Sequence, residues 1–298
     1  MFLVYMTLMD IRSETTSAYK ILAPKVWESA VVVASPHSGR DYSNTFMGQS
    51  ILDPVTLRSS EDAYLDQLID YVPEFGAPLL LARAPRAFVD LNRSADELDP
   101  AIVNGAQTRG QNPRISSGLG VIPRVVANGR PIYRGKIPMQ EAKDRLRTYW
   151  HPYHDALLRL LKAAKLRHGY NVLIDVHSMP HDAVSSPSKL VTPPEIVIGD
   201  RHGSSASRAL VEEVEACFAN AGLKTARNTP FAGAFITQNY GRPSANQHAI
   251  QIEIDRGIYL DEAQVAPSDQ FTETRGKLRQ AFEGIARLGA PELPLAAE

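Results

Sequence analysis

The chain has 298 residues, and its 32 basic and 33 acidic side chains give a formal net charge of −1, which announces no basic field for nucleic acid or anionic lipid. With 44% hydrophobic residues the length is ample for a large core in one α/β domain. A single cysteine, Cys217, excludes an internal disulfide framework and reads as a small buried hydrophobe in a reducing compartment.

The opening apolar run Met1–Met9 is too short to span a bilayer, has no basic residues before it and no small-residue cleavage pattern after it. A cytoplasmic protein with a short packed or frayed start is expected, with no membrane partner. The sequon-like Asn92-Arg93-Ser94 is then accidental.

Ser29–Ser35 is an apolar, β-branched run and predicts an interior strand. It ends at Pro36-His37-Ser38-Gly39, so His37 lies just past a strand end, and Gly39 lets the backbone turn closely there. An ordinary loop histidine would also explain the position. Farther on, Ser59 and Ser60 predict a helix cap, with Glu61 and Asp62 in the first turn and Leu65, Leu68, Ile69 and Val72 as the apolar stripe. Capping accounts for one acid, not for two.

Pro78–Ala84 predicts the next strand, and Ala87–Arg93 another or its continuation. Arg86, Asn92 and Arg93 then cluster around an extended segment, where guanidinium forks suit a substrate carboxylate; surface arginines paired with Asp96, Glu97 and Asp99 are the plainer explanation. From about residue 101 to 138 the composition turns to Gly, Pro, Asn and Arg, a long loop region of the kind that carries function, and Arg124, Tyr133 and Arg134 are candidates for a flap over the substrate. Gly118-Leu119-Gly120 lacks the third glycine of a dinucleotide fingerprint.

Gln140–His168 predicts a helix divided or kinked at Pro152 and closed by Gly169; His151 and His154 lie on it without an acid at ligand spacing, which favours structural roles. Asn171–His177 reads as a central strand buried on both faces, running out into Ser178-Met179-Pro180. A histidine at that edge sits where open α/β sheets hold ligands, with Asp175 on the same side to orient it. Taken alone, a core histidine with its ring N–H on a carbonyl explains the position without a metal.

Glu195–Gly199 predicts a strand, Ser204–Ala221 a helix, and Ala234–Thr237 a strand. Ile250, Ile252 and Ile254 then alternate with Gln251, Glu253 and Asp255, which places Glu253 on a strand whose opposite face is core. Burial there would raise its pKa and suit it to proton transfer, whereas an Arg256 partner would make it ordinary. A helix with Phe271, Leu278, Phe282 and Ile285 inward and a Pro-containing tail close the chain.

Together these residues match one reaction. Three protein ligands and a water make a catalytic zinc site, and His37, Asp62 and His177 supply that set, with Glu61 in reserve. Glu253 would pass the water's proton to the leaving nitrogen, while Arg86, Asn92 and Arg93 hold the substrate carboxylate and polarise the acyl oxygen. Nucleophile-elbow, P-loop, His-Glu-x-x-His and Cys-x-x-Cys motifs are all missing from the sequence. The expectation is metal-dependent amide hydrolysis of a small acidic substrate.

Ser35-Pro36-His37-Ser38-Gly39, Glu61-Asp62-Ala63-Tyr64-Leu65-Asp66, Asp90-Leu91-Asn92-Arg93, Asp175–Pro180 and Gln251–Asp255 resemble, in order, the blocks of the N-formylglutamate amidohydrolase family. The resemblance implies a zinc enzyme that hydrolyses N-formyl-L-glutamate to formate and L-glutamate, the last step of one route of histidine degradation. It also implies a mixed sheet flanked by helices, a three-layer architecture of the zinc-carboxypeptidase and aspartoacylase kind within the phosphorylase/hydrolase-like folds. Within that superfamily Asn92 and Arg93 match a pair that binds a substrate carboxylate, and Glu253 matches the late base. One departure stands out: relatives draw two ligands from His-x-x-Glu, but Arg40 stands three residues after His37, so Asp62, or failing it Glu61, must fill the vacancy. A deacylase of another N-acyl amino acid, a carboxypeptidase-like peptidase and a non-catalytic carboxylate binder are the competing readings.

Overall fold

Alternation along two nine-residue strands sets the layers of the molecule. The computed structural model describes residues 11–107, 112–185 and 193–288. In it the aliphatic runs pair into one eight-stranded sheet: β1 (Glu14–Thr15), β2 (Tyr19–Leu22), β3 (Val31–Ser35), β4 (Leu79–Ala82), β5 (Asn171–Met179), β6 (Ile196–Gly199), β7 (Thr225–Arg227) and β8 (Gln247–Asp255). Across the sheet the order is β1-β2-β4-β3-β5-β8-β6-β7. The four central strands β4, β3, β5 and β8 run parallel, whereas β2 and β6 pair antiparallel to β4 and β8.

The α-helices are α1 (Asn44–Gln49), α2 (Pro54–Arg58), α3 (Leu65–Leu68), α4 (Pro113–Ser116), α5 (Met139–Arg145), α6 (His151–His168), α7 (Arg208–Asn220), α8 (Phe235–Tyr240) and α9 (Phe271–Leu288). Successive strand residues point to opposite faces. Val31, Val33, Val172, Ile174, Ile250 and Ile252 therefore pack with Leu210 and Val214 of α7 and Leu278 and Phe282 of α9. Val32, Ala34, Leu173 and Ala249 pack with Leu157 and Leu160 of α6 on the other side. Each fully buried Ile or Leu contributes roughly 1.5–3 kcal/mol from removal of apolar surface from water. The sheet is thus mixed and covered by helices on both faces, as the family resemblance implies.

Toward the carboxyl end of β5 and β8 the second face changes character. Leu173 is followed by Asp175 and His177 on that face, and Ala249 by Gln251 and Glu253, all buried. The chain leaves β3 for β4 on one side and returns to β5 on the other, so the connections diverge between β3 and β5. That divergence opens a crevice at the carboxyl edge of the sheet, where ligands of open α/β sheets bind. His37 follows β3 and His177 lies in β5, one on each side of it.

Several local expectations are corrected. Ser59 and Ser60 cap no helix: Asp53 caps α2, Ser59 ends it, and Asp62 lies in the turn before α3. Residues 87–93 form turns rather than a strand, because the Asp90 carboxylate accepts the Asn92 N–H at 2.8 Å and competes with extended pairing. Residues 235–240 are helical instead of extended, and the buried first turn is satisfied from afar, with Ile236 N–H donating to Asn92 Oδ1 at 2.8 Å. Between α5 and α6 the chain makes a π-helical turn over Leu146–Trp150, Pro152 sits in the first turn of α6, and Gly169 ends it at φ 81°. The expected packed or frayed start at Met1–Met9 and the tail beyond residue 288 lie outside the described residues. No helix among the described residues is long and apolar enough to cross a membrane.

Candidate active site

Backbone hydrogen bonds bring the first two candidate ligands together. Asp62 N–H donates to the His37 carbonyl at 3.0 Å, which ties the loop after β3 to the turn before α3. Gly39 is required beside them: a Cβ there would stand 2.1 Å from the Ala84 carbonyl oxygen, an approach no other residue permits. His177, anchored mid-sheet in β5, completes the group.

The three side chains converge on one point. His37 Nδ1 lies 3.1 Å from His177 Nδ1, His177 Nδ1 lies 3.2 Å from Asp62 Oδ2, and His37 Nδ1 lies 3.7 Å from the same oxygen. All three residues are buried, and their ligand atoms fall within 4.8 Å of one another. Two imidazole nitrogens and one carboxylate oxygen at such separations suit a tetrahedral divalent ion with about 2.0–2.2 Å bonds. Glu61, the reserve ligand, is turned away: Arg58 Nε and Nη2 each donate to it at 2.9 Å, and the Tyr42 hydroxyl donates at 3.0 Å.

Behind the ligands stands a second row of charge. Asp90 Oδ1 accepts from His37 Nε2 at 2.8 Å, and Asp175 Oδ2 lies 3.1 Å from His177 Nε2. A carboxylate at Nε2 favours the proton there and turns the Nδ1 lone pair toward the centre. Asp175 is buried with no aligned hydrogen-bond donor of its own, so His177 is its charge partner. Asn92 Nδ2 also reaches His177 Nε2 at 3.1 Å.

Electrostatics agree with a cation at this point. Burial, with Arg86 beside it, lowers the His37 pKa to about 4, which keeps its ring neutral and able to donate a lone pair. Burial also acts against charge on His177, but Asp175, Asp62 and Glu253 outweigh it and hold that ring well above its ordinary value. For Asp62 burial is likewise overcome, by His177, His37 and Arg256, and its carboxyl stays below the usual range. The donor set and its buried acids fit a divalent ion.

Glu253 is the register partner of His177 across β5 and β8, so the two side chains leave the sheet on the same face. Burial raises its pKa to about 7. Gln251 Nε2 donates to its Oε1 at 2.8 Å, which steadies the carboxyl and leaves Oε2 without a partner among the described residues. Arg256 instead binds Asp62 at 3.0 Å.

His37, His177 and Glu253 lie in the wall of a cavity of about 550 Å³, within the range of small-molecule sites. Arg86, Asn92, Arg93, His37, His177 and Glu253 all line it. Arg86 commits only Nε, to Asp90 at 3.1 Å; Arg93 commits Nε and Nη1 to the carbonyls of Leu119 and Asn92. The remaining guanidinium nitrogens have no hydrogen-bond partner among the described residues. The Asn92 Oδ1 accepts from the Ile236 N–H and so holds the start of α8, while its Nδ2 lies beside His177 Nε2 in the cavity wall.

The expected flap residues are not in the cavity wall. Arg124 is held by Asp99 at 3.0 Å, and Tyr133 is buried against Phe46 with its hydroxyl accepting from Arg145 at 2.7 Å. Arg134 is exposed beside a separate recess near Gln49 and Glu141. The same 101–138 region contributes Arg114, Leu119 and Val125–Gly129 to the wall instead.

Asp90, Arg114, Gln251 and Arg256 escaped the sequence reading as site residues. The spacing Gln251-Ile252-Glu253 carried a signal for one of them, since alternation puts residues 251 and 253 on one face. His154 is structural, as expected, with Nε2 on the Leu91 carbonyl at 2.9 Å and Nδ1 on the Tyr240 hydroxyl at 2.8 Å.

Fold and site together define a mixed-sheet α/β protein with a buried His-Asp-His centre that could hold a metal ion, set beside a carboxyl group that titrates near neutrality. The chain belongs to the N-formylglutamate amidohydrolase family, whose model matches residues 29–260. It is 30% identical over 278 residues to the N-formylglutamate deformylase of Pseudomonas aeruginosa, covering 91% of this chain and 97% of that protein. The N-formylglutamate deformylase of Pseudomonas putida is 28% identical over 277 residues, with the same coverage, 91% and 97%. Among solved structures, N-formylglutamate amidohydrolase from Ralstonia eutropha JMP134 is similar with a TM-score of 0.85 and 31% identity, covering 92% of this chain and 99% of that one. A protein of Agrobacterium tumefaciens, at 17% identity and a TM-score of 0.62 over 91% of this chain and 94% of that one, shares the fold.

Proposed function

We propose that this protein is a zinc-dependent amidohydrolase that cleaves N-formyl-L-glutamate to formate and L-glutamate. One observation carries the reading: three ligand atoms lie within 4.8 Å of one another, and two of their residues, His37 and His177, line the same cavity as the buried Glu253. The names of the family and of the relatives above supply the substrate. His37, Asp62 and His177 would hold the ion, which when bound acidifies a water and polarises a carbonyl.

Glu253 takes a proton from the water that attacks the formyl carbon and delivers it to the nitrogen as the C–N bond breaks. Burial makes its carboxylate a stronger base than an exposed one, and the acid so formed can return the proton. Gln251 orients it. Arg86 and Arg93 pair with the substrate carboxylates and so fix the amide against Glu253, and Arg114 adds positive charge to the same wall. Asn92, in the same wall, offers its amide N–H to the acyl oxygen. The reaction is placed in the cytoplasm, where Cys217 stays a thiol.

A hydrolysis screen over N-formyl, N-acetyl and N-succinyl forms of Glu, Asp and Gln, with and without zinc, tests this directly. Zinc-dependent release of formate with N-formylglutamate preferred is the expected result. Turnover that ignores chelator, or preference for another acyl group, rejects it.

A further inference from the structure

Arg256 follows β8 directly and is buried, with 5% of its surface exposed. Its side chain reaches two segments, residues 59–62 and the end of β5. Nη2 donates to Asp62 Oδ1 at 3.0 Å, Nε to the Ser178 hydroxyl at 3.1 Å, and Nη1 to the Ser59 carbonyl at 3.1 Å. The two oxygens of the Asp62 carboxylate are therefore divided. Oδ1 belongs to the guanidinium, while Oδ2 is the atom that faces His177 Nδ1 at 3.2 Å and His37 Nδ1 at 3.7 Å.

A carboxylate offers a cation one oxygen or both. Two-oxygen binding would draw Oδ1 toward the ion and away from Arg256 Nη2, whose other acceptor, the Ser178 carbonyl, lies at 3.4 Å, and so would weaken a buried ion pair. We propose that Arg256 is a positioning residue that holds Asp62 as a one-oxygen ligand, which keeps a fourth place around the ion open for water. The inference rests on the zinc-site reading above. Although Arg256 lines the cavity, Nε, Nη1 and Nη2 each have a protein partner, so it acts through Asp62 rather than on the substrate. Ser59 and Ser178 hold the guanidinium in place from the turn before Asp62 and from the end of β5.

The wild-type chain of 298 residues, loaded with zinc, provides the first test. X-ray absorption and a crystal structure should show one Asp62 oxygen at about 2.0–2.2 Å from the metal, with Oδ1 still hydrogen-bonded to Arg256. Both oxygens on the metal would overturn the proposal. The second test uses cobalt(II) in place of zinc, whose visible absorption is stronger with four ligands than with five. Arg256→Met should lose intensity several-fold as Asp62 turns both oxygens inward, and Arg256→Lys, which keeps the charge, should recover most of it. An Arg256→Met spectrum identical to wild type overturns the proposal, and if that variant fails to fold the wild-type zinc structure decides alone. A wild-type chain that takes up neither metal defeats the zinc-site reading itself, a failure seen before any variant is made.

Discussion

His177 and Glu253 are register partners on adjacent parallel strands, so a candidate ligand and a candidate base leave the sheet side by side on one face. Their relation is fixed by nine paired positions between β5 and β8 and not by a loop, which gives it the rigidity that proton transfer to a held water requires. Glu253→Gln keeps the volume and the hydrogen bond to Gln251 while removing the proton shuttle. We expect zinc content to stay at the wild-type level and kcat to fall by roughly 10²–10⁴-fold. Near-normal turnover would remove Glu253 from the mechanism.

The same substitution makes a stability prediction of opposite sign. Glu253 has its pKa raised from 4.5 to about 7 by burial, so the folded metal-free chain holds this proton more tightly than the unfolded chain does. Between those values the unfolded state binds fewer protons, and stability falls as pH rises from about 4.5 through 7. The loss at this site is on the order of 3 kcal/mol, from about 1.4 kcal/mol per pKa unit. In excess chelator, Glu253→Gln should match wild type near pH 4.5 and exceed it in thermal stability at pH 8. Parallel unfolding curves at both pH values would contradict a carboxyl in which burial outweighs the charges of His177, Arg86 and Arg256.

Asp90 should matter to the metal without touching it. It accepts from His37 Nε2 at 2.8 Å, from Arg86 Nε at 3.1 Å and from Asn92 N–H at 2.8 Å. With Asp90→Asn the amide can no longer satisfy all three donors, and the ring of His37 loses the partner that directs its Nδ1 inward. A 10–100-fold rise in the zinc dissociation constant is expected, measured by competition with a chromophoric chelator. Affinity equal to wild type would show that His37 is oriented by packing alone.

Much of this was legible in sequence because β periodicity is a strong signal. Strands ending near His37 and His177, the central position of Asn171–Met179 and the face carrying Glu253 all follow from apolar runs and alternation. What stayed hidden was set by polar side chains acting at a distance. The Asp90 side chain turns residues 87–93 away from the strand that propensity favours, and Asn92 Oδ1 supplies the N–H partner that lets residues 235–240 start a helix. Arg256 looked like a partner for the nearby Glu253, yet its guanidinium crosses to Asp62, 194 positions away. In the 101–138 region no periodicity distinguished residues that face the cavity, such as Arg114, from those tied elsewhere, such as Arg124 and Tyr133.

Recognition of the substrate acid can be tested through a ratio that protein yield does not affect. Arg93 is buried, its Nε and Nη1 are fixed on the carbonyls of Leu119 and Asn92, and burial lowers its pKa from the ordinary arginine value. A guanidinium so anchored points its remaining nitrogen without further loss of side-chain entropy, a preorganised donor for a carboxylate. A charged hydrogen bond of about 1.5–3 kcal/mol corresponds to roughly 10–150-fold in kcat/KM. Arg93→Ala should therefore lower kcat/KM for N-formylglutamate by that factor, chiefly through KM, and leave slow turnover of formamide, which has no carboxylate, nearly as it was. The ratio of the two rates separates lost recognition from lost folding, because misfolded protein lowers both alike. A ratio equal to that of wild type would free Arg93 of the role and leave Arg86 and Arg114 as the cations that meet the substrate.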